Sequence, residues 1–563
     1  MKKKLSLFIL FILCLILSSC DLFTKASTKV TTTSNITSNI TSSSKTSSKT
    51  SSKTTTSATT VPTTKKPTTS ISTKNTFTTI TTTSTTTSIT TKPTELVTIN
   101  FYAFNDLHGY INSNEPNLSK IANYLVNAKE NNKNTVILAN GDMFQGTALS
   151  NYYYGLPIVE TLNYLEVDAF TIGNHEFDWG IDKIANYKDG NLTNGEANFS
   201  FLAANIVDKD NEELLSFTEP YTIIEREGVK IGIIGTIGEY ENSIAASRVA
   251  GYKFVDPNET ARKYARILRE ENDCKIVILL THSYDEYLSD NNTIAKFEGS
   301  ERIDAIFNGH LHWNVNGVIN GKNHQVPYAQ VDSSNNFLSL ITIVYDPVTE
   351  DVMPQYPQLI SKSNFTQEDE YAKNIINAFN SDEIYLNFIN EEFLVSREYL
   401  YRNNMPQYLS SVIKYAAHVD FGMVNSGGVR KAIESNKMLT MADLVLIYPF
   451  DNAIKTCSLK GSDIIDLYLN AQKGYADVVF DLDVTYNSGN LYIKGEKVDP
   501  NKMYTVGAVD YIFDKDNYPF LKGENILYTS MLMRDLMVED LRLQKSSGIT
   551  EFYPSNGPFT SWN

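Results

Sequence analysis

The chain has 563 residues, 42% of them hydrophobic, and a formal net charge of −16. That length exceeds what one core serves, so two or three domains are expected. The charge is divided unevenly: residues 1–94 hold twelve lysines and one acid, Asp21, leaving 37 basic against 64 acidic residues and a net of −27 beyond them. Such an acidic body argues against a nucleic acid polymer as partner, because phosphate backbones bind basic surface. It leaves room for a small phosphate compound held through bound cations, which invert the local field.

Residues 1–20 read as a basic start, an apolar run and a small-residue cleavage site, the pattern of a secretory signal. The run is short for a transmembrane helix. Its ending, Leu17-Ser18-Ser19-Cys20, resembles a bacterial lipobox. That implies cleavage before Cys20, lipidation of its sulfur and an extracytoplasmic, cell-surface protein anchored to the membrane; an ordinary secretory signal is the other reading. Residues 21–95 are dominated by Ser and Thr, with a loose Ser-Ser-Lys-Thr repeat from Ser42 to Thr54, and read as a disordered stalk. Of the four cysteines, Cys14 and Cys20 belong to this leader. Cys274 and Cys457 imply neither a disulfide framework nor a zinc-thiolate cluster.

Order is expected from about Glu95. Leu96–Phe104 is strand-like and delivers Asn105-Asp106-Leu107-His108-Gly109. Leu118–Ala128 carries apolar residues at helical spacing. Thr135–Ala139 reads as a buried strand ending in Asn140-Gly141-Asp142. A helix near Ile158–Leu165 leads to the strand Ala169–Ile172 and then Gly173-Asn174-His175-Glu176-Phe177-Asp178. Thr222–Thr236 holds two strands about a Glu227-Gly228 turn, Pro257–Arg269 reads as helix, and Lys275–Leu280 is a buried strand running into Thr281-His282. Ile303–Phe307 is another, ending in Asn308-Gly309-His310-Leu311-His312. Alternating strands and helices indicate a layered α/β domain.

Five strand ends thus carry Asp, His and Asn, where ligands of α/β sheets bind. Five of the seven histidines lie in these motifs, leaving His324 and His418. Carboxylate, imidazole and amide without thiolate suit Zn, Mn, Fe or Co. The set is about twice what one ion needs, so two divalent metal ions are expected, and phosphoester hydrolysis is their natural work.

At these residues the chain resembles the calcineurin-like metallophosphoesterases, and more narrowly the exported 5′-nucleotidase and UDP-sugar hydrolase family. The resemblance implies one ion held by Asp106, His108, Asp142 and His312, and a second by Asp142, Asn174, His282 and His310. It implies that His175 stabilises charge on the phosphate and leaving oxygen, with Asp178 orienting it. It divides the chain into a metallophosphoesterase domain, a βαβ sandwich over 96–345, a connection over 346–393, and a smaller α/β substrate-binding domain over 394–563. In that domain a helix Gln407–Ala417 is expected, then Asn425-Ser426-Gly427-Gly428-Val429-Arg430, where Arg430 would bind phosphate or carboxyl oxygens and Asn425 the nucleoside side. Phe450 resembles the family's first aromatic plate and Tyr511 its second, with Phe513 a rival. The turn that follows, through Asp516, lacks the family's glycines, and Arg402 stands nearer Asn404-Met405 than the usual arginine. The implied substrate is a nucleoside 5′-monophosphate, with a nucleotide sugar or a 2′,3′-cyclic nucleotide as alternatives. A surface binding protein or solute receptor on the same fold is the reading from another class.

Overall fold

A computed structural model of the chain describes residues 95–562, apart from 112–116, 285–288 and 334–335. The expected signal, stalk and Cys20 lie outside the described residues. Among the described residues no helix is long and apolar enough to cross a membrane, and Cys274 and Cys457 are buried and free.

Ile206–Asp208 pairs antiparallel with Tyr252–Phe254 on its own, and the first half is otherwise built on two large sheets. The strands, in chain order, are β1 (Val97–Phe104), β2 (Thr135–Asn140), β3 (Ala169–Thr171), β4 (Ser200–Leu202), β5 (Tyr221–Arg226), β6 (Val229–Ile237), β7 (Ile276–His282), β8 (Ala305–Phe307), β9 (Val315–Asn320), β10 (Gln325–Gln330), β11 (Phe337–Tyr345), β12 (Val352–Pro354) and β13 (Gln358–Ser361). One sheet has the order β12-β11-β1-β2-β3-β4, with β13 also paired to β11; the other runs β9-β10-β8-β7-β6-β5. The central pairs β1–β2, β2–β3, β6–β7 and β7–β8 are parallel. Their carboxyl ends therefore open on one side, and every expected metal ligand lies there.

Side-chain alternation explains the layering. Val97, Ile99, Phe101 and Ala103 of β1 join Ile231, Ile233, Ile276, Ile278, Ala305 and Phe307 of the other sheet in one core. Tyr102 and Phe104 point the other way, towards the helices. A period of two sends successive side chains to opposite faces, so a strand covered on both faces reads as continuously apolar. β2 and β7 are buried at every position. The helix Pro257–Glu270 lays Ala261, Ala265 and Leu268 on the outer face of the second sheet, against Val277 and Leu279. Asp256 caps it by accepting from Asn258 and Glu259 N–H. The Glu227-Gly228 turn forms as expected, with both residues at positive φ, 48° and 77°, the conformation a two-residue hairpin requires.

The expected connection differs in part. Its first residues form β12 and β13, which extend the first sheet. Only then come the helices Glu370–Asn380 and Glu383–Ile389. The polar composition of 346–361 hid these strands, because β12 and β13 are only partly buried and so lack an apolar run. The first helix is tied back to the first half: Asp369 N–H donates to Ser119 O at 2.9 Å, and Tyr164 Oη donates to Asp369 Oδ2 at 3.0 Å.

The second half packs the helix Met405–Ala416 on a five-stranded sheet. Its strands are β14 (Phe421–Val424), β15 (Ala453–Lys460), β16 (Val479–Phe480), β17 (Met503–Val509) and β18 (Glu524–Leu532), in the order β16-β14-β17-β15-β18. The C-terminal helix Met533–Ser546 covers its end through Met533, Met537 and Leu541.

Phe101 is fully buried between the two sheets. Phe101→Ala is expected to cost about 3–5 kcal/mol, read as a lowered urea midpoint in full-length protein.

Candidate metal centre

β1 ends at Phe104 and hands Asp106 and His108 to the carboxyl edge. β2 does the same for Asp142, β3 for Asn174, His175 and Asp178, β7 for His282, and β8 for His310 and His312. The candidate ligand atoms of Asp106, His108 and His312 lie within 4.8 Å of one another, as do those of His108, Asp142 and His175, and those of Asp142, His282 and His310. Asn174 joins the last group through Oδ1, 2.9 Å from His310 Nδ1. All seven expected ligands are thus brought together, and Asp142 takes part in two of the three groups. His175 also enters one, beyond the set expected to bind metal.

Ring orientation tests whether these residues fit cations. His108 Nδ1 lies 3.2 Å from Gln145 O, and His282 Nδ1 lies 2.8 Å from Asn140 O. A carbonyl only accepts, so these nitrogens carry the hydrogen and Nε2 of each neutral ring presents a bare lone pair. His108 Nε2 points at His312 Nε2 at 3.0 Å. His282 Nε2 points at Asp142 Oδ2 at 3.1 Å. Asp106, Asp142 and His282 are essentially unexposed. Electron-pair donors converging at buried positions require positive charge between them, and the donor set fits divalent ions.

The electrostatics agree. Burial alone would raise the Asp106 carboxyl, but His312 and His282 outweigh it and bring it down to about 2. Burial would lower His282, yet the Asp142 and Asp106 charges raise it to about 10, so the carboxylates that would bind a cation also attract a proton. Burial, then the charge of His282, lowers His310 to about 3 and keeps it neutral, the form that binds metal. Its ring stacks on Tyr240 at 3.8 Å between centroids.

His175 is held apart from this set by its partners. Its Nδ1 lies 2.7 Å from Asp178 Oδ2, and its backbone N–H donates to Asp142 Oδ1 at 2.8 Å. Burial lowers its basicity, but Asp178 and Asp142 more than compensate, and the imidazole is shifted upward. With Nδ1 engaged, Nε2 is the nitrogen left to meet a substrate.

The backbone makes this crowding attainable at a conformational cost. Asp106, His108, Asp142, His310 and His312 all have positive φ, between 47° and 88°, a region sparsely populated by residues other than glycine. A Cβ on Gly141 would stand 2.4 Å from His282 Nδ1, and one on Gly173 would stand 2.4 Å from Asp142 Oδ1. Both glycines are required by close approach alone.

The second domain reaches this edge through one loop. Phe450 stacks near-parallel on His175, with centroids 6.0 Å apart and 24° between planes. Arg430 is exposed, its guanidinium 5.3 Å from the Phe450 ring. The loop is fastened by Asn151 Nδ2 to Pro449 O at 3.1 Å, Arg534 Nη1 to the same oxygen at 2.8 Å, and an ion pair between Arg534 and Asp451.

A profile described as calcineurin-like phosphoesterase matches residues 99–314, and one described as 5′-nucleotidase, C-terminal domain, matches residues 385–523. The chain belongs to the calcineurin-like phosphoesterases that carry a 5′-nucleotidase C-terminal domain. This is a family of metal-dependent phosphoester hydrolases. An endonuclease of Bacillus subtilis is 28% identical over 413 residues, covering 68% of this chain but 33% of its own length. A cell wall protein of Listeria monocytogenes is 24% identical over 549 residues, covering 81% of this chain and 68% of its own. The chain therefore spans a third of the first relative and about two thirds of the second. A 5′-nucleotidase precursor from Thermus thermophilus shares the fold, with a TM-score of 0.64 at 19% identity over 81% of this chain and 97% of that one.

Within the nucleotidase domain the remaining expected residues separate. Arg402 Nε donates to Val429 O at 3.0 Å, so it braces the turn that carries Arg430. Asn425 is buried beside that turn. Phe513 is fully buried and stacks on Phe520 at 5.2 Å, which removes it as an aromatic plate. Tyr511 is half-buried with Lys515 Nζ 4.1 Å from its ring centroid, and Asp516 is exposed on the following turn.

Sequence reasoning assigned no role to several residues that position the phosphoesterase ligands. Asn105 donates to Asp106 and to Val331 O at 2.8 Å. Asn140 Nδ2 bridges Thr281 O and Phe307 O, both at 3.0 Å, and Asn308 Nδ2 donates to Ser283 O at 2.7 Å. The signal was visible: an asparagine directly follows each of these three apolar runs. Glu176, fully buried, accepts from the backbone N–H of Asp142, Met143 and Gly173 at 2.8–2.9 Å. Burial, then the nearby Asp142 charge, pushes its carboxyl up to about 7.

Glu176→Gln turns an amide N–H towards those donors. It is expected to weaken Zn or Mn binding about 10- to 100-fold, the range for lost outer-shell support, read by titration calorimetry. Metal at a thousandfold excess over Kd is expected to add about 4 kcal/mol of stability, seen as a melting temperature that falls on chelation.

Proposed function

We propose that this protein is an exported, membrane-anchored phosphohydrolase that uses two divalent metal ions to convert nucleoside 5′-monophosphates to nucleoside and phosphate. The observation that carries the reading is the convergence of the His108, His312 and His282 nitrogens on two buried carboxylates. Asp106, His108, Asp142 and His312 would hold one ion. Asp142, Asn174, His282 and His310 would hold the other, with Asp142 shared. Two bound ions of this kind supply Lewis-acid charge to a phosphoryl group and make water nucleophilic near neutral pH.

The chain's own residues supply the rest. Asp178 fixes the His175 ring, so its Nε2 can hold a proton at the leaving oxygen. Arg430 offers a guanidinium to the phosphate oxygens. Phe450 and Tyr511 are the aromatic surfaces for a base, and Asn425, Arg402 and Asp516 complete the proposed substrate wall. Surface placement through Cys20 accords with the likeness to a cell wall protein. Likeness to an endonuclease favours, as a second reading, a small phosphodiester such as a UDP-sugar or a 2′,3′-cyclic nucleotide.

Phosphate release from AMP and other nucleotides, and from a UDP-sugar and a cyclic nucleotide whose monoester products are opened by an added phosphatase, with Mn or Zn supplied, tests this. AMP is expected to be hydrolysed, and His175→Ala to lower kcat at least about 100-fold. Turnover of diesters alone would move the substrate to the second reading. Stoichiometric metal without turnover of any compound would instead identify a surface binding protein.

A further inference from the structure

Trp313 directly follows His312 and is 42% exposed, whereas Trp179 is 6% exposed. It is not loosely placed. Its carbonyl accepts from Gln330 Nε2 at 3.0 Å, and Gln330 is buried. Its indole meets Tyr284 edge to face, with centroids 6.2 Å apart and 72° between planes. Tyr284 lies two residues beyond His282 and is 7% exposed. The indole is therefore fixed where two ligand-bearing loops meet, with part of its surface facing solvent.

Its place in the chain beside His312, with Phe450 against His175, gives this a meaning. The His108 ring meets two others edge to face, with centroids 5.1 Å from His175 and 4.9 Å from His312. Phe450 stacks on His175, and Trp313 follows His312 in the chain with its indole against Tyr284. A phosphorus atom held at this row would carry one ester arm towards Phe450 and the other towards Trp313. A monoester fills one side only. A diester with planar groups on both arms would fill both, and indole is a strong stacking surface for any such ring.

We propose that Trp313 is a specificity-determining residue, a stacking platform for a planar group on the second ester arm of a phosphate substrate. This rests on the phosphohydrolase reading and selects within it for diesters whose second arm is aromatic or a nucleobase.

Two compounds isolate the effect: thymidine 5′-(4-nitrophenyl) phosphate and thymidine 5′-methyl phosphate, which differ only in the second arm. Binding is measured by equilibrium dialysis on metal-loaded full-length His175→Ala protein, with and without Trp313→Ala. The aryl ester is expected to weaken about tenfold when Trp313 is removed, within the range for base–aromatic stacking, and the methyl ester to change less than about twofold. Trp313→Phe should recover most of the loss and Trp313→Leu little of it; this pair carries the test if metal content drops in the alanine variant. In otherwise native protein, KM for the aryl ester should rise with kcat unchanged. Equal weakening of both esters, or of neither, overturns the proposal. If the aryl preference persists in protein that hydrolyses nothing, the platform stands and the hydrolase reading falls.

Discussion

Two carboxylates, Asp106 and Asp142, sit with no more than 1% of their surface exposed, and the rest of the centre follows from the need to neutralise them. A buried ion without partners costs several kcal/mol. Here the neutralising groups are imidazoles, which offer lone pairs as readily as protons. The same pocket can therefore balance its charge with bound protons or with metal cations, and metal uptake is linked to proton release. Imidazoles at the ends of parallel strands can reach a common point only if the two sheets close over a dry core. The inter-sheet layer of Ile, Val, Leu and Phe is thus a precondition for the chemistry as well as a source of stability.

The second domain contributes differently. Its sheet and helices supply no expected metal ligand. They carry one fastened loop, which puts the Phe450 ring against His175 with Arg430 beyond it. On the proposed reading the phosphoesterase half sets the reaction, and the nucleotidase half, together with Trp313, would select the molecules that enter the site. Arg534, Asn151 and Arg402 hold the main chain on which Phe450 and Arg430 stand.

Much of this was legible in the sequence because it is local. A buried strand announces itself as an apolar run, and a polar residue placed directly after it inherits a known position, so the gathering of Asp106, Asp142, Asn174, His282 and His310 at one sheet edge could be read without coordinates. The strands Val352–Pro354 and Gln358–Ser361 could not, since a partly exposed strand leaves no continuous apolar signal. Residues whose work is to bind main-chain atoms far along the chain were also hidden. Asn140 reaches Thr281 and Phe307, and nothing near residue 140 records those partners. The rivalry between Tyr511 and Phe513 was open for the same reason: both are aromatic and two apart, and only packing against Phe520 separates them.

The left-handed backbone at Asp106, His108, Asp142, His310 and His312 also bears on how such a centre can change. Asn, Asp and His are the side chains other than glycine that tolerate this conformation best, and Asp and His are the types found there. Exchange among these three could retune metal preference while leaving each loop in place. Side chains of other kinds, β-branched ones above all, would strain the loop at these torsions. The range of metals open to this scaffold is thus set by main-chain torsion as much as by coordination chemistry.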